Sequence, residues 1–256
     1  MDSKAIIKRN FSRHAGRYDR FSRIQNQVGA ALLALVQDCK ANCILDIGCG
    51  TGTFTLALAQ HFDDARLTAL DLCPTMIRTA RDKLGDVRIR WICADAEAVE
   101  MDQRFDLIVS NACFQWFDDL PKAVQRYRCL LIPGGTLAFS AFGPSTFWEL
   151  NQVLRTAWGE SATVHSGIFN DIGVYKAVLH NGWGNVSIQE TIHCLTYNSL
   201  WDLLRAIKYT GTKGYGLAPR SLTRRDIKAL EQDYRACFGQ IQVSYQVFCC
   251  MGTRKD

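Results

Sequence analysis

Cys43-Ile44-Leu45-Asp46-Ile47-Gly48-Cys49-Gly50-Thr51-Gly52 runs from a short apolar stretch into a turn with glycine at every second position. The apolar part suits a strand buried on both faces of a parallel sheet. The glycines permit a tight turn and let a ligand press against the backbone. A glycine-rich turn after a strand also serves dinucleotide sites. Here, however, the spacing is D-x-G-x-G-x-G and not G-x-G-x-x-G, with an acid inside the strand end. Asp46 places negative charge beside the turn. That disfavours a pyrophosphate and favours a cationic, phosphate-free ligand.

The pattern outward from this stretch alternates strand and helix. The expected strands are Arg66–Leu70, ending at Asp71, then Val87–Ile92, Phe105–Ser110 and Thr136–Ser140. Between them, helices are expected from the glycine turn to about His61, from Pro74 to Leu84, and from Leu120 to Leu131. Pro74 suits a first helical turn, and Pro133-Gly134-Gly135 closes the third of these helices. Upstream, Ile24, Val28, Ala31, Leu32, Leu35 and Val36 recur at helical spacing. Short links between alternating strands and helices indicate a doubly wound parallel sheet. After Ala141 the rhythm breaks into helical or irregular stretches over 142–182 and 199–220. Val186–Ile192 and Gln242–Cys249 read as strands. Ser221–Phe238 reads as a helix with Thr223 as N-cap and Asp226 in its first turn.

Composition narrows the classes. Of 256 residues, 48% are hydrophobic and 21% charged, which suits a folded chain and excludes disorder as the main state. The longest apolar run, Ala30–Val36, is far short of the roughly 20 residues that cross a bilayer. The first residues carry charges but no apolar core of a secretory signal, so a cytoplasmic protein is expected. The 11 cysteines form no C-x-x-C pair, and Cys43, Cys93, Cys249 and Cys250, which lie in apolar strands, read as small core residues in a reducing compartment. The five histidines are scattered, so no metal is expected. Net charge is +5, modest for a nucleic-acid binder, and none is expected as partner. The positive charge is concentrated: seven basic against two acidic residues over 1–23, and eight against four over 202–235. These stretches fit either solvated helix faces or attraction to an acidic partner.

Asp71 ends the second strand, where an acid accepts both hydroxyls of a ribose. Asp95 follows the third and is placed to accept from an adenine amino group. Three acids after three successive strands outline a ligand with an amine, a ribose and an adenine, and S-adenosylmethionine fits. Residues 42–140 resemble the class I S-adenosylmethionine-dependent methyltransferases. The resemblance implies a doubly wound, mostly parallel, seven-stranded Rossmann-like α/β sheet. Residues 1–40 would form an N-terminal helical segment, 42–140 the cofactor-binding core, 141–220 a helical substrate-side cap inserted after the fifth strand, and 221–256 the final helix and strand. It also implies cofactor contacts from Asp46, Gly48, Gly50, Gly52, Asp71, Leu72, Asp95, Ala96 and Asn111. Cys73 departs from the serine that relatives often place before Pro74.

The methyl acceptor is addressed by Ser110-Asn111-Ala112-Cys113-Phe114-Gln115-Trp116. The (Asn/Asp)-Pro-Pro-(Tyr/Phe) motif of nitrogen methylation is absent, as is the Pro-Cys dipeptide of cytosine-C5 enzymes. Phe11-Ser12-Arg13-His14-Ala15-Gly16-Arg17-Tyr18-Asp19, Gln25, Ile207-Lys208 with Gly211, Leu222-Thr223-Arg224 and Ser244-Tyr245-Gln246-Val247-Phe248 extend the likeness to nearly the whole chain. Together they resemble the biotin-pathway malonyl-[acyl-carrier protein] O-methyltransferases. That resemblance implies methylation of the free carboxylate of a malonyl thioester, carried by acyl-carrier protein or coenzyme A. A carboxylate is already ionised at pH 7, so the site needs no general base. It must align an oxygen with the S–CH3 bond and exclude water. Tyr18, Asn111 and Gln115 are the positioning candidates. Lys208, Arg220 and Trp116 are the substrate-binding candidates, with Trp116 also readable as a core residue. Tyr18 and Trp116 offer aromatic faces to a sulfonium. Acyl-carrier proteins are acidic, which gives the basic stretches a partner. The alternatives are an enzyme for a small free carboxylic acid of the aconitate type, and a cofactor-binding assembly factor.

Overall fold

The computed structural model describes residues 3–85, 88–164, 167–210 and 223–256. Seven strands form one sheet: β1 Cys43–Ile47, β2 Arg66–Asp71, β3 Ile89–Cys93, β4 Phe105–Ser110, β5 Leu131–Phe142, β6 Trp183–Tyr197 and β7 Ile241–Arg254. Their order is β3-β2-β1-β4-β5-β7-β6. β1 to β5 run parallel, whereas β7 is antiparallel to both β5 and β6. The mostly parallel, doubly wound sheet expected from the alternation is therefore the observed one. The chain reverses its winding direction between β1 and β4, and ligands of open α/β sheets bind beyond the carboxyl ends of strands at such a point.

The helices are α1 Ser3–Phe21, α2 Arg23–Val36, α3 Thr53–His61, α4 Pro74–Leu84, α5 Leu120–Leu130, α6 Trp148–Trp158, α7 Ile172–Val178, α8 Leu200–Tyr209 and α9 Arg224–Phe238. Alternation along β1 assigns the two faces. Leu45 and Ile47 join Phe105, Tyr127 and Tyr175 in the core beneath α5 and α7. Ile44 joins Leu32, Phe54, Leu58 and Ile77 in the core beneath α2, α3 and α4. A third core gathers α6, α8 and α9 against β7 through Leu150, Leu203, Leu230 and Val243. Thr223 caps α9 as expected, and Asp226 completes a reciprocal capping box.

Three strands are longer than the alternation indicated. β5 begins at Leu131, because the Pro133-Gly134-Gly135 segment lies within an irregularity of its pairing with β4 and not in a free turn. β6 spans 15 residues as an edge strand with few buried positions, so its period-2 apolar pattern is faint. β7 continues from Ile241 to Arg254, paired on both sides. The segment after β5 holds α6 and α7, and α8 follows β6.

Candidate active site

A cavity opens at the carboxyl ends of β1, β2, β3 and β4. Its floor is the glycine turn. Gly48, Gly50 and Gly52 all adopt positive φ, at 72°, 55° and 79°. Their neighbourhoods separate their roles. A methyl group on Gly50 would meet nothing within 4 Å, so this backbone faces open space in the cavity. On Gly48 it would lie 2.3 Å from the Cys113 sulfur, so that glycine lets the turn approach the segment after β4. On Gly52 it would lie 2.9 Å from Leu84, so that glycine packs α3 against α4 and does not line the cavity.

The three acids have three different situations. Asp46 lies on the same face of β1 as Ile44, which points it under α3. It is 1% exposed, accepts a 2.6 Å hydrogen bond from the Thr55 hydroxyl, and does not line the cavity. Desolvation raises its pKa to about 7, with Thr55 opposing the rise and Asp71 adding to it. Because the folded pKa is above the unfolded one, the contribution to stability is full below about pH 4. It is lost as pH rises through about 7. We therefore expect Asp46→Asn to gain in melting temperature relative to wild type, by several degrees, between pH 5 and pH 8. Melting curves across that range check it. A constant difference between the two proteins would mean that Asp46 does not titrate there.

Asp71, half-buried, lines the cavity and braces its floor. One carboxylate oxygen accepts from the Gly50 N–H at 2.9 Å and the other from the Cys73 N–H at 2.7 Å. Desolvation lifts its pKa to about 6, against those two bonds. Each oxygen keeps a lone pair for a further donor. Asp95 also lines the cavity, and it is held by α1: Lys4 Nζ donates to Asp95 at 2.7 Å and contacts Glu97 at 2.7 Å. Leu72 and Ala96 complete the wall beside these acids.

α1 forms the roof. Lys4, Ile7, Lys8, Phe11 and Tyr18 recur at helical spacing along one face, and all five line the cavity. Asp19 fixes the other end of the helix through Lys83 at 2.9 Å and through the Thr51 hydroxyl. Sequence reasoning singled out Tyr18 but missed Lys4, Ile7, Lys8 and Phe11. The signal was present at i, i+3, i+4 and i+7, but the two lysines masked it as a solvated face. Tyr18 has its pKa pushed well above the ordinary value by desolvation and then by Asp71, which keeps it a neutral phenol.

On the β4 side the expected residues are divided. Asn111 lines the cavity, but its amide is committed elsewhere. Nδ2 donates to the Gln25 carbonyl at 3.0 Å and Oδ1 accepts from the Ser140 hydroxyl at 2.8 Å. The amide therefore ties β4 to α2 and β5. Trp116 lines the cavity, half-buried, with its ring edge-to-face on Phe11 at 5.5 Å. Gln115 does not line it. It is 2% exposed and donates to the Ala112 carbonyl at 2.8 Å, because the 3-10 turn Phe114–Trp116 rotates it into the interior. Lys208 is on α8, with its ammonium over the Tyr209 ring, and is not among the cavity residues. Arg220 lies outside the described residues, as do Gly211 and Leu222.

A methyltransferase domain model matches residues 44–135. Malonyl-[acyl-carrier protein] O-methyltransferase 1 of Ilyobacter polytropus is 32% identical over 238 residues, covering 92% of this chain and 88% of its own. The malonyl-[acyl-carrier protein] O-methyltransferase of a Paenibacillus species is 35% identical over 254 residues, covering 90% and 92%. This chain belongs to that family. Among solved structures, the YcgJ protein of Bacillus superposes with a TM-score of 0.62 at 18% identity over 89% of this chain and 98% of its own. The N-methyltransferase NodS of Bradyrhizobium japonicum, in complex with S-adenosyl-L-homocysteine, superposes with a TM-score of 0.58 at 17% identity over 98% and 99%. Those identities carry the fold. The malonyl-[acyl-carrier protein] O-methyltransferase family thus sits on a sheet shared by enzymes with other acceptors, and the acceptor has to be argued from the site.

Proposed function

We propose that this chain transfers a methyl group from S-adenosylmethionine to the free carboxylate of a malonyl thioester on an acyl-carrier protein. The product is the methyl ester, at an early step of biotin synthesis. The family supports the acceptor, and one observation in the cavity supports the chemistry. Beside β4 the lining residues are Asn111, Ala112, Cys113, Trp116 and Phe117, facing Tyr18 and Phe11. Desolvation holds both Tyr18 and Cys113 well above their ordinary pKa values. Neither of these two side chains is therefore a base near pH 7. An acceptor that arrives as an anion needs none.

The residues present fit the cofactor. Gly50 leaves its backbone open to the cavity, and Asp71 retains acceptor capacity for two hydroxyls. Asp95 and Ala96 lie where an adenine would be held, and Leu72 beside them. When bound, the cofactor supplies a methyl group on a positively charged sulfonium. Phe11, Tyr18 and Trp116 exclude water from the reacting end, and their faces attract positive charge. Charge is neutralised as a carboxylate attacks a sulfonium, so a site dry enough to strip solvent from the anion favours the transition state.

Radiolabelled methyl transfer to malonyl carrier protein, malonyl coenzyme A, malonate and aconitate tests this reading. Label is expected on the malonyl thioesters. Transfer to aconitate alone would assign the enzyme to small carboxylic acids, and no transfer to any of them would indicate a binding protein of the same fold. We also expect the rate at saturation to show no loss of activity on acidification through pH 7. A required base in that range, shown to report the methyl-transfer step, would point to an alcohol, amine or phenol acceptor.

A further inference from the structure

The two basic stretches of the sequence meet in space. α1 packs against α8. At their junction Phe21 and Tyr209 stack with ring centroids 4.7 Å apart. Four cations surround this pair: Arg17 and Lys208 over Tyr209, both at 5.5 Å, and Arg20 and Arg205 over Phe21, at 5.9 and 5.8 Å. Arg17 also donates to the Tyr209 hydroxyl at 3.1 Å. Among the described residues no carboxylate lies within ion-pair distance of Arg17, Arg20 or Lys208, and Arg205 has only Asp202 at 4.0 Å. Four like charges on one patch, with Asp202 as the one carboxylate beside them among the described residues, repel one another, a cost that an acidic partner would reduce.

The patch continues into the protein. Phe21 is also a wall of a narrow crevice lined further by Gln25, Phe142 and Tyr245. The Gln25 carbonyl holds Asn111, and Asn111 lines the cofactor cavity. α1 thus carries the basic patch at its end and the roof of the cofactor cavity along its length.

We infer that the α1–α8 junction is the docking face for an acidic carrier protein. The inference rests on the malonyl carrier-protein reading above. A second basic region exists, where Arg66, Arg88, Arg90 and Arg104 cluster near the amino ends of β2, β3 and β4. It lies at the opposite end of the strands from the cofactor cavity and leads to no part of it, which makes it the natural control.

The test measures the affinity of malonyl carrier protein by fluorescence anisotropy, with turnover of malonyl coenzyme A alongside. Arg20→Glu/Arg205→Glu is expected to weaken carrier binding about tenfold or more at low salt and to flatten its salt dependence. Arg90→Glu/Arg104→Glu, an equal change of charge, is expected to change it by less than about twofold. Turnover of malonyl coenzyme A should follow the second pattern in both variants. Binding of S-adenosylhomocysteine verifies that each variant is folded, and Arg20→Gln/Arg205→Gln replaces the first pair if it is not. Equal weakening by both pairs, or equal loss with the coenzyme A substrate, would overturn the docking assignment while leaving the methyl acceptor in place. So would equal affinity for a single-stranded RNA of similar charge. Carrier protein that neither binds nor is methylated by wild type, with aconitate methylated instead, would overturn the acceptor reading itself.

Discussion

Asp71→Ala is expected to weaken binding of S-adenosylhomocysteine by roughly 10- to 150-fold, the equivalent of about 1.5–3 kcal/mol for hydrogen bonds to a charged group. The carboxylate does two things at once. It offers lone pairs to a ligand in the cavity, and it fixes the cavity floor through the Gly50 and Cys73 N–H groups. Alanine removes both, so a modest fall in melting temperature should accompany the lost affinity. Protonation should mimic the mutation in part. The pKa of Asp71 is near 6 in the ligand-free protein, so affinity should fall as pH drops through that value and hold steady above about 7. Ligand hydroxyls favour the ionised form, and binding should therefore pull this pKa down. Titration calorimetry at pH 5.5 and 7.5 reads both effects. An affinity for Asp71→Ala within threefold of wild type would remove Asp71 from the ligand site.

The glycine turn gives the largest expected effect on stability. Gly48→Ala would place a methyl carbon 2.3 Å from the Cys113 sulfur and 2.6 Å from its Cβ, at a φ of 72°. The thiol can rotate away, but the Cβ moves only with the backbone of the segment after β4. Left-handed strain of about 1–2 kcal/mol adds to an overpacking cost of about 1–3 kcal/mol. At about 2–4 °C per kcal/mol for a chain of this size, the melting temperature should fall by roughly 4–20 °C. Gly50→Ala carries the strain without the collision, so its melting temperature should fall far less. Its methyl group projects into the cavity, and its loss should appear in cofactor affinity instead. Cys113→Gly in the Gly48→Ala background should restore part of the lost stability, since the two sites touch. Equal melting temperatures for Gly48→Ala and Gly50→Ala would contradict the close approach.

Stretches where local and long-range demands coincide were legible in the sequence. Cys43–Ile47 is apolar because it is buried on both faces, and it could be recognised as a central strand for that reason. The glycine turn and the acid closing β2 lie at fixed offsets from strand ends, so chain order alone placed Gly48, Gly50 and Asp71 near one another. Thr223 and Asp226 announced the start of α9 because capping is a local event. The apolar pattern marks only part of β6, because an exposed edge strand has few buried positions.

The sequence by itself determined the alternation, the sheet and the candidate ligand acids, since each is written in residues close along the chain. Only the tertiary structure decided which of them face the cavity. Strand parity turned Asp46 under α3 toward Thr55, and a 3-10 turn took Gln115 inward, so neither presents its side chain to the cavity. Lys4 reaches Asp95 across 91 positions, and Arg17 meets Tyr209 across 192. No local pattern encodes such pairings. The roof over the cofactor cavity and the cationic patch beside it both arise from packing α1 against elements distant in sequence. A helix face bearing Lys4 and Lys8 reads as solvated until the acids it meets are in place.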